Sequence, residues 1–118
     1  MNNLLLSNGL SVLLHQMPNT HSITLGLYVR CGSAYEGECI AGITHLLEHL
    51  HFRKLGSFSQ DELYYKMECM GSSLRGTTYR DFLKFTMKIT PEKFEECLII
   101  FKNLIETIEW GNNEFQKE

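Results

Sequence analysis

From Leu83 to Ile89 the chain alternates without a break: Leu83, Phe85, Met87 and Ile89 are apolar, and Lys84, Thr86 and Lys88 between them are polar. A period of two sends successive side chains to opposite faces, so this segment belongs in a sheet with one face packed and the other wet. Ser22 to Arg30 repeats the pattern, with Ile23, Leu25, Leu27 and Val29 set against Thr24, Gly26, Tyr28 and Arg30. The two segments form the frame around which the remaining elements must be placed.

Leu4 to Leu6 and Leu10 to Leu14 flank Ser7-Asn8-Gly9, a hairpin signal because Asn-Gly takes the positive φ angles that tight turns require. Pro18-Asn19-Thr20 closes this first unit. After the strand at Ser22, the polar loop CGSAYEGE leads to a helix starting near Cys39 to Gly42. A second helix is announced by Ser59 and Glu62, the spacing of a capping box, and should stop at Gly71. SSLRGTT then reads as extended. Thr90-Pro91 opens a last helix, in which Phe94, Leu98, Phe101, Leu104, Ile105 and Ile108 recur at helical spacing down to Gly111. Three strands, two helices, two strands and a helix make an α+β fold, an antiparallel sheet with helices packed on it.

With 118 residues the chain is one domain or part of one, and 43% hydrophobic content is enough for a packed core. A net charge of −3, with lysines and arginines scattered, argues against nucleic acid as a partner. The apolar N-terminus lacks a basic n-region and a cleavage site, and nothing approaches the roughly 20 apolar residues of a membrane span. A cytoplasmic chain without a membrane association is expected. Cys31, Cys39, Cys69 and Cys97 form no CxxC pair and are expected as buried free thiols.

The stretch His45-Leu46-Leu47-Glu48-His49 carries the chemistry. At about 100° per residue, with His45 at zero, His49 falls near 40° and Glu48 near 300°, one face of a helix. Ile43, Leu46, Leu47 and Leu50 lie opposite, so the leucines are expected to be buried and the His-Glu-His face to line a cleft. Two imidazoles one turn apart can converge on a zinc ion, and a carboxylate between them can take a proton from water that the ion has acidified. The order H-x-x-E-H is that of the inverted zincins. His51 falls near 240°, away from this face, and is expected at the surface or in packing, as are His15 and His21.

NGLSVLL, SITLGLYVRCGSAYEG and GITHLLEHLHFRK stand in the order and spacing of the pitrilysin, insulinase and mitochondrial processing peptidase family, M16. Nearly the whole chain resembles the first half of that family's N-terminal domain, a LuxS/MPP-like metallohydrolase half-domain. The resemblance implies a zinc-dependent endopeptidase, with Zn2+ bound by His45 and His49 and Glu48 as general base. It implies that Phe52 lines the substrate cleft, although a plain core phenylalanine is an equal reading. It also implies that an extended peptide adds as a strand beside Leu74 to Thr78. The family usually has Asn-Ala-x-Thr where this chain has Arg75-Gly76-Thr77-Thr78, so Thr78 matches and Arg75 does not.

In the same family a third ligand, a glutamate, follows the second histidine by roughly 76 residues, which would be about position 125 here. EFQKE resembles the opening of that later helix, with Glu118 at the place of a supporting glutamate one heptad before the ligand. Residues 1–118 are therefore expected to be a partial domain, inactive alone. Expected partners are a peptide substrate and a second homologous domain or subunit, or the remainder of the chain. The alternative is a non-catalytic subunit or interaction module of the same fold.

Overall fold

A computed structural model describes residues 1–106 and 109–117. Ile108 and Glu118, both singled out from the sequence, lie outside the described residues. The chain opens with a hairpin of β1 (Asn2–Leu5) and β2 (Ser11–Leu14), in register from Asn2 opposite Leu14 to Leu5 opposite Ser11. Its turn is closed by two backbone bonds between Leu6 and the Gly9–Leu10 segment, with Gly9 at φ 85°.

β3 (Ile23–Val29), β6 (Arg75–Thr78) and β7 (Leu83–Ile89) form the central sheet in the order β3-β7-β6, all antiparallel. The register pairs Ile23 with Ile89 and Val29 with Leu83 on one side, and Arg75 with Thr86 and Thr78 with Leu83 on the other. The alternation of β7 is obeyed: Leu83, Phe85, Met87 and Ile89 are all buried. In β3, Ile23, Leu25 and Leu27 are half-buried, but Val29 is exposed. β3 is an edge strand of this sheet.

Those helices are α1 (Ile43–Arg53), α2 (Gln60–Cys69) and α3 (Phe94–Ile105), with a short hairpin of β4 (Lys54–Leu55) and β5 (Phe58–Ser59) between the first two. The capping box is present in full: the Glu62 N–H donates to Ser59 Oγ at 3.3 Å, and the Ser59 N–H donates to the Glu62 carboxylate at 2.8 Å. That second bond holds the Glu62 carboxyl below the usual carboxylate range. α2 closes on Gly71 at φ 64°, whose left-handed backbone lets Ser72 N–H reach back to Met67 O, as the sequence predicts. The core gathers Leu55, Leu63, Met67, Ile100, Phe101 and Leu104 onto the β7 face.

Three expectations are corrected. α3 ends at Ile105, not at Gly111, because Glu106 is extended and the chain folds back onto the end of α1. Trp110 Nε1 donates to Leu50 O at 3.0 Å and Lys54 Nζ to Glu109 O at 3.0 Å. A short α4 (Asn112–Gln116) follows. In α1 the buried residues are Thr44 and Leu50, while Ile43 and Leu46 are exposed. The inward face runs from Leu50, which has no exposed surface, through half-buried Leu47 and His51 to Thr44, and His51 packs against Phe85 and Trp110 at 5.4 Å from each ring. Of the four free cysteines only Cys97 is buried, which pushes its thiol up to about 11; Cys39 and Cys69 are exposed.

No helix among the described residues is long and apolar enough to cross a membrane. Replacing Leu63, which has no exposed surface, by alanine should cost about 2–5 kcal/mol. Replacing the cap, Ser59→Ala, should cost only about 1 kcal/mol. Urea denaturation of both variants checks the order; a cap loss equal to the cavity loss would contradict this placement of the core.

Candidate metal centre

α1 begins abruptly. Its N-cap, Gly42, is left-handed at φ 89° and offers no side chain to the unpaired N–H groups of the first turn. Glu36 supplies the missing acceptor from outside the helix: its two carboxylate oxygens accept from Gly42 N–H at 2.6 Å and Thr44 N–H at 2.9 Å. The carboxyl is held below the usual range by the Thr44 hydroxyl first, then by the Thr44 and Gly42 N–H groups. A negative charge here also meets the positive end of the helix dipole.

Glu36 is delivered by the loop after β3. Ala34 N–H donates to Arg80 O at 2.8 Å, Arg30 Nε donates to the Tyr35 hydroxyl at 2.9 Å, and Gly32 lies flat against the Tyr79 and Arg80 carbonyls. The loop is thus docked on the turn joining β6 to β7. Sequence reasoning did not single out Glu36, and no short-range capping rule connects it to an N-terminus six residues on.

His45 and His49 lie one turn apart on the exposed side of α1, as the spacing predicts. Their Nε2 atoms are 3.0 Å apart and their rings meet edge to face at 87°. Two nitrogens on one tetrahedral zinc ion stand about 3.3 Å apart, so the pair fits such an ion with little adjustment. Among the described residues no third His, Cys, Asp or Glu joins them.

Glu48 turns the other way, towards β6, where its carboxylate accepts a short hydrogen bond from the Thr78 hydroxyl. The approach is possible because residue 76 is glycine. A Cβ there would lie 2.9 Å from Glu48 Cγ and 3.0 Å from the Phe52 ring. Phe52 itself is half-buried and packs on Phe85 with ring centroids 6.2 Å apart, which favours the core reading of this residue. Between α1 and β6 opens a cleft of about 540 Å³, whose walls include His45, Glu48, Gly76, Thr77 and Thr78. Glu36 and Arg80 also line it.

The sequence places Arg75 with these residues, but the structure does not. Alternation in β6 turns Gly76 and Thr78 towards α1 and Arg75 away from it, into a second groove of about 760 Å³ shared with Thr86 and Lys88.

The family model described as insulinase, peptidase family M16, matches residues 11–118. Over 113 residues the chain is 30% identical to the mitochondrial-processing peptidase subunit beta of Saccharomyces cerevisiae, an alignment covering 96% of this chain and 24% of that protein. It is 25% identical to an uncharacterized zinc protease of Bacillus subtilis, covering 94% of this chain and 27% of that one. The crystal structure of a protease from Helicobacter pylori superposes with a TM-score of 0.91 at 24% identity, over 98% of this chain and 28% of that chain. The chain spans about a quarter of the length of these relatives.

Because the folded Glu36 carboxyl binds its proton less readily than the unfolded one, its stabilisation is present above about pH 4.5 and is lost as the pH falls through the lowered value. Glu36→Ala should therefore lower the urea midpoint at neutral pH, and the gap from the unaltered chain should close in acid. A gap independent of pH would show that the carboxylate does not clamp the helix.

Proposed function

The chain belongs to the insulinase family of peptidases, M16, and on that premise we propose that it carries the metal helix and the substrate-binding edge of a zinc-dependent endopeptidase. The observation that carries this reading is the convergence of the His45 and His49 Nε2 atoms on the helix whose His45 and Glu48 line a cleft beside an open sheet edge.

In this reading His45 and His49 hold the zinc ion. A further carboxylate completes its protein ligands. Zinc, when bound, supplies a Lewis acid that acidifies water and polarises the scissile carbonyl. Glu48 is the general base: it takes the proton from the attacking water and returns it to the departing amine. Thr78 holds one carboxylate oxygen of Glu48, fixing the side chain's rotamer and leaving the other oxygen for the proton transfer.

The substrate is a peptide in extended form. β6 ends the sheet, so its outer backbone groups can pair with an added strand, a mode that binds the peptide chain with little demand on its sequence. The added strand runs along Gly76 to Thr78 and passes under Glu48, which brings its backbone to the histidines. A second domain or subunit of the same family closes over it, in keeping with a relative named as a subunit.

A non-catalytic subunit of the same fold is the second reading, favoured by Arg75-Gly76 standing where the family usually has Asn-Ala. In the complete protein, Glu48→Gln should lower hydrolysis by about 10²–10⁴-fold while zinc content is unchanged. His45→Ala should remove zinc and activity together. Metal content and turnover measured on the same preparations decide: full turnover in the glutamine variant sinks the assigned base, and no turnover in the unaltered protein favours the second reading. Residues 1–118 alone, offering the His45–His49 pair, should bind zinc weakly and hydrolyse nothing.

A further inference from the structure

The face of the sheet turned away from the helices is cationic, and it borders the edge proposed to receive the substrate. Its residues follow from the register: Thr24, Gly26 and Tyr28 from β3, Lys84, Thr86 and Lys88 from β7, Arg75 and Thr77 from β6. Three carry positive charge and none carries negative charge, in a chain with 14 acidic residues against 11 lysines and arginines. Arg75 stands opposite Thr86, so Lys84 and Lys88 are its two diagonal neighbours, close enough for the three charges to repel one another.

None of these cations is in an ion pair among the described residues. Glu68 borders the same groove as Arg75 and Lys88 without pairing to either. The groove also presents hydroxyls, among them Ser72, Thr24 and Thr86, together with the apolar Met70, Met87 and Ile89. An external anion here would relieve repulsion, with no internal carboxylate to displace.

A peptide added beside β6 sends alternate side chains to the two faces of the sheet. One set enters the α1 cleft beside Gly76 and Thr78. The other set falls on the outer face, about 4.8 Å from Arg75 and one strand further from Lys84 and Lys88, within reach of their long side chains. Lys88 is exposed and Lys84 half-buried, so both can swing towards the edge.

We propose that this chain selects extended peptides bearing acidic side chains at every second position, held by Arg75 with Lys84 and Lys88 on the sheet face opposite the metal helix. The proposal rests on strand addition to β6. The backbone gives binding, and the outer face gives the charge preference.

Three ten-residue peptides test it. Each alternates threonine with one variable residue, glutamate, glutamine or lysine, and affinity for the metal-free chain is read by fluorescence anisotropy. The glutamate peptide should bind most tightly, gaining up to about fivefold per ion pair over glutamine. The lysine peptide should bind most weakly, and salt should narrow the spread. The double variant Arg75→Glu, Lys88→Glu, both at exposed positions, should reverse the order while leaving the glutamine peptide unchanged.

Equal binding of all three peptides overturns the charge preference and leaves strand addition standing. Failure of every peptide to bind overturns both. Undiminished binding of a glutamate peptide whose alternate amides are methylated, and so cannot pair with a strand edge, also overturns the proposal. So does tighter binding of a single-stranded oligonucleotide of equal charge.

Discussion

The close approach of α1 to the edge strand β6 organises this molecule. It depends on one missing side chain. Gly76 lets Glu48 and Phe52 lie directly on the strand, so a single helix face serves both the core, through Phe52 on Phe85, and the cleft, through Glu48 on Thr78. About 60° further round, His45 and His49 are left outside with their ring nitrogens converging. The imidazole pair, the Glu48 carboxylate and the strand edge are brought together by packing and do not rely on a flexible loop.

A second constraint acts at the start of the helix. A glycine N-cap leaves the first turn unsatisfied, and a carboxylate from a loop six residues earlier replaces the cap. Because that loop is itself anchored on the β6–β7 turn, the helix N-terminus and the strand are tied to each other by two routes, one through Gly76 and one through Glu36. His45 sits between the two ties. Such double bracing limits the motion of the imidazole pair, the preorganisation a metal site needs.

The parts of this arrangement that were legible from the residues are those set by local rules. Strict alternation located β7, Ser59 and Glu62 located the start of α2, and the H-x-x-E-H spacing placed three side chains on one side of α1. What was not legible depends on contacts distant in the chain. The inward face of α1 was assigned to Ile43 and the leucines, and Leu50 and Leu47 do turn inward, but Ile43 and Leu46 stay exposed while His51 is drawn in by Phe85 and Trp110, residues 34 and 59 positions further on. Arg75 was grouped with its neighbours in sequence, whereas the pleat of β6 sends it to the other face. Glu36 carried no signal because it caps from a loop outside the helix, at a spacing no local capping rule describes.

The leading hairpin has a consequence of another kind. β1 and β2 pair with each other, contribute no buried residue to the core, and leave Leu5 and Leu13 more than half exposed. Isolated two-stranded ribbons are marginal in water, so opening this one leaves the three-stranded sheet and its helices intact. The polypeptide is thus two cooperative units of unequal depth. Amide protons in the hairpin exchange through local fraying, and those of β7 exchange only when the whole core comes apart.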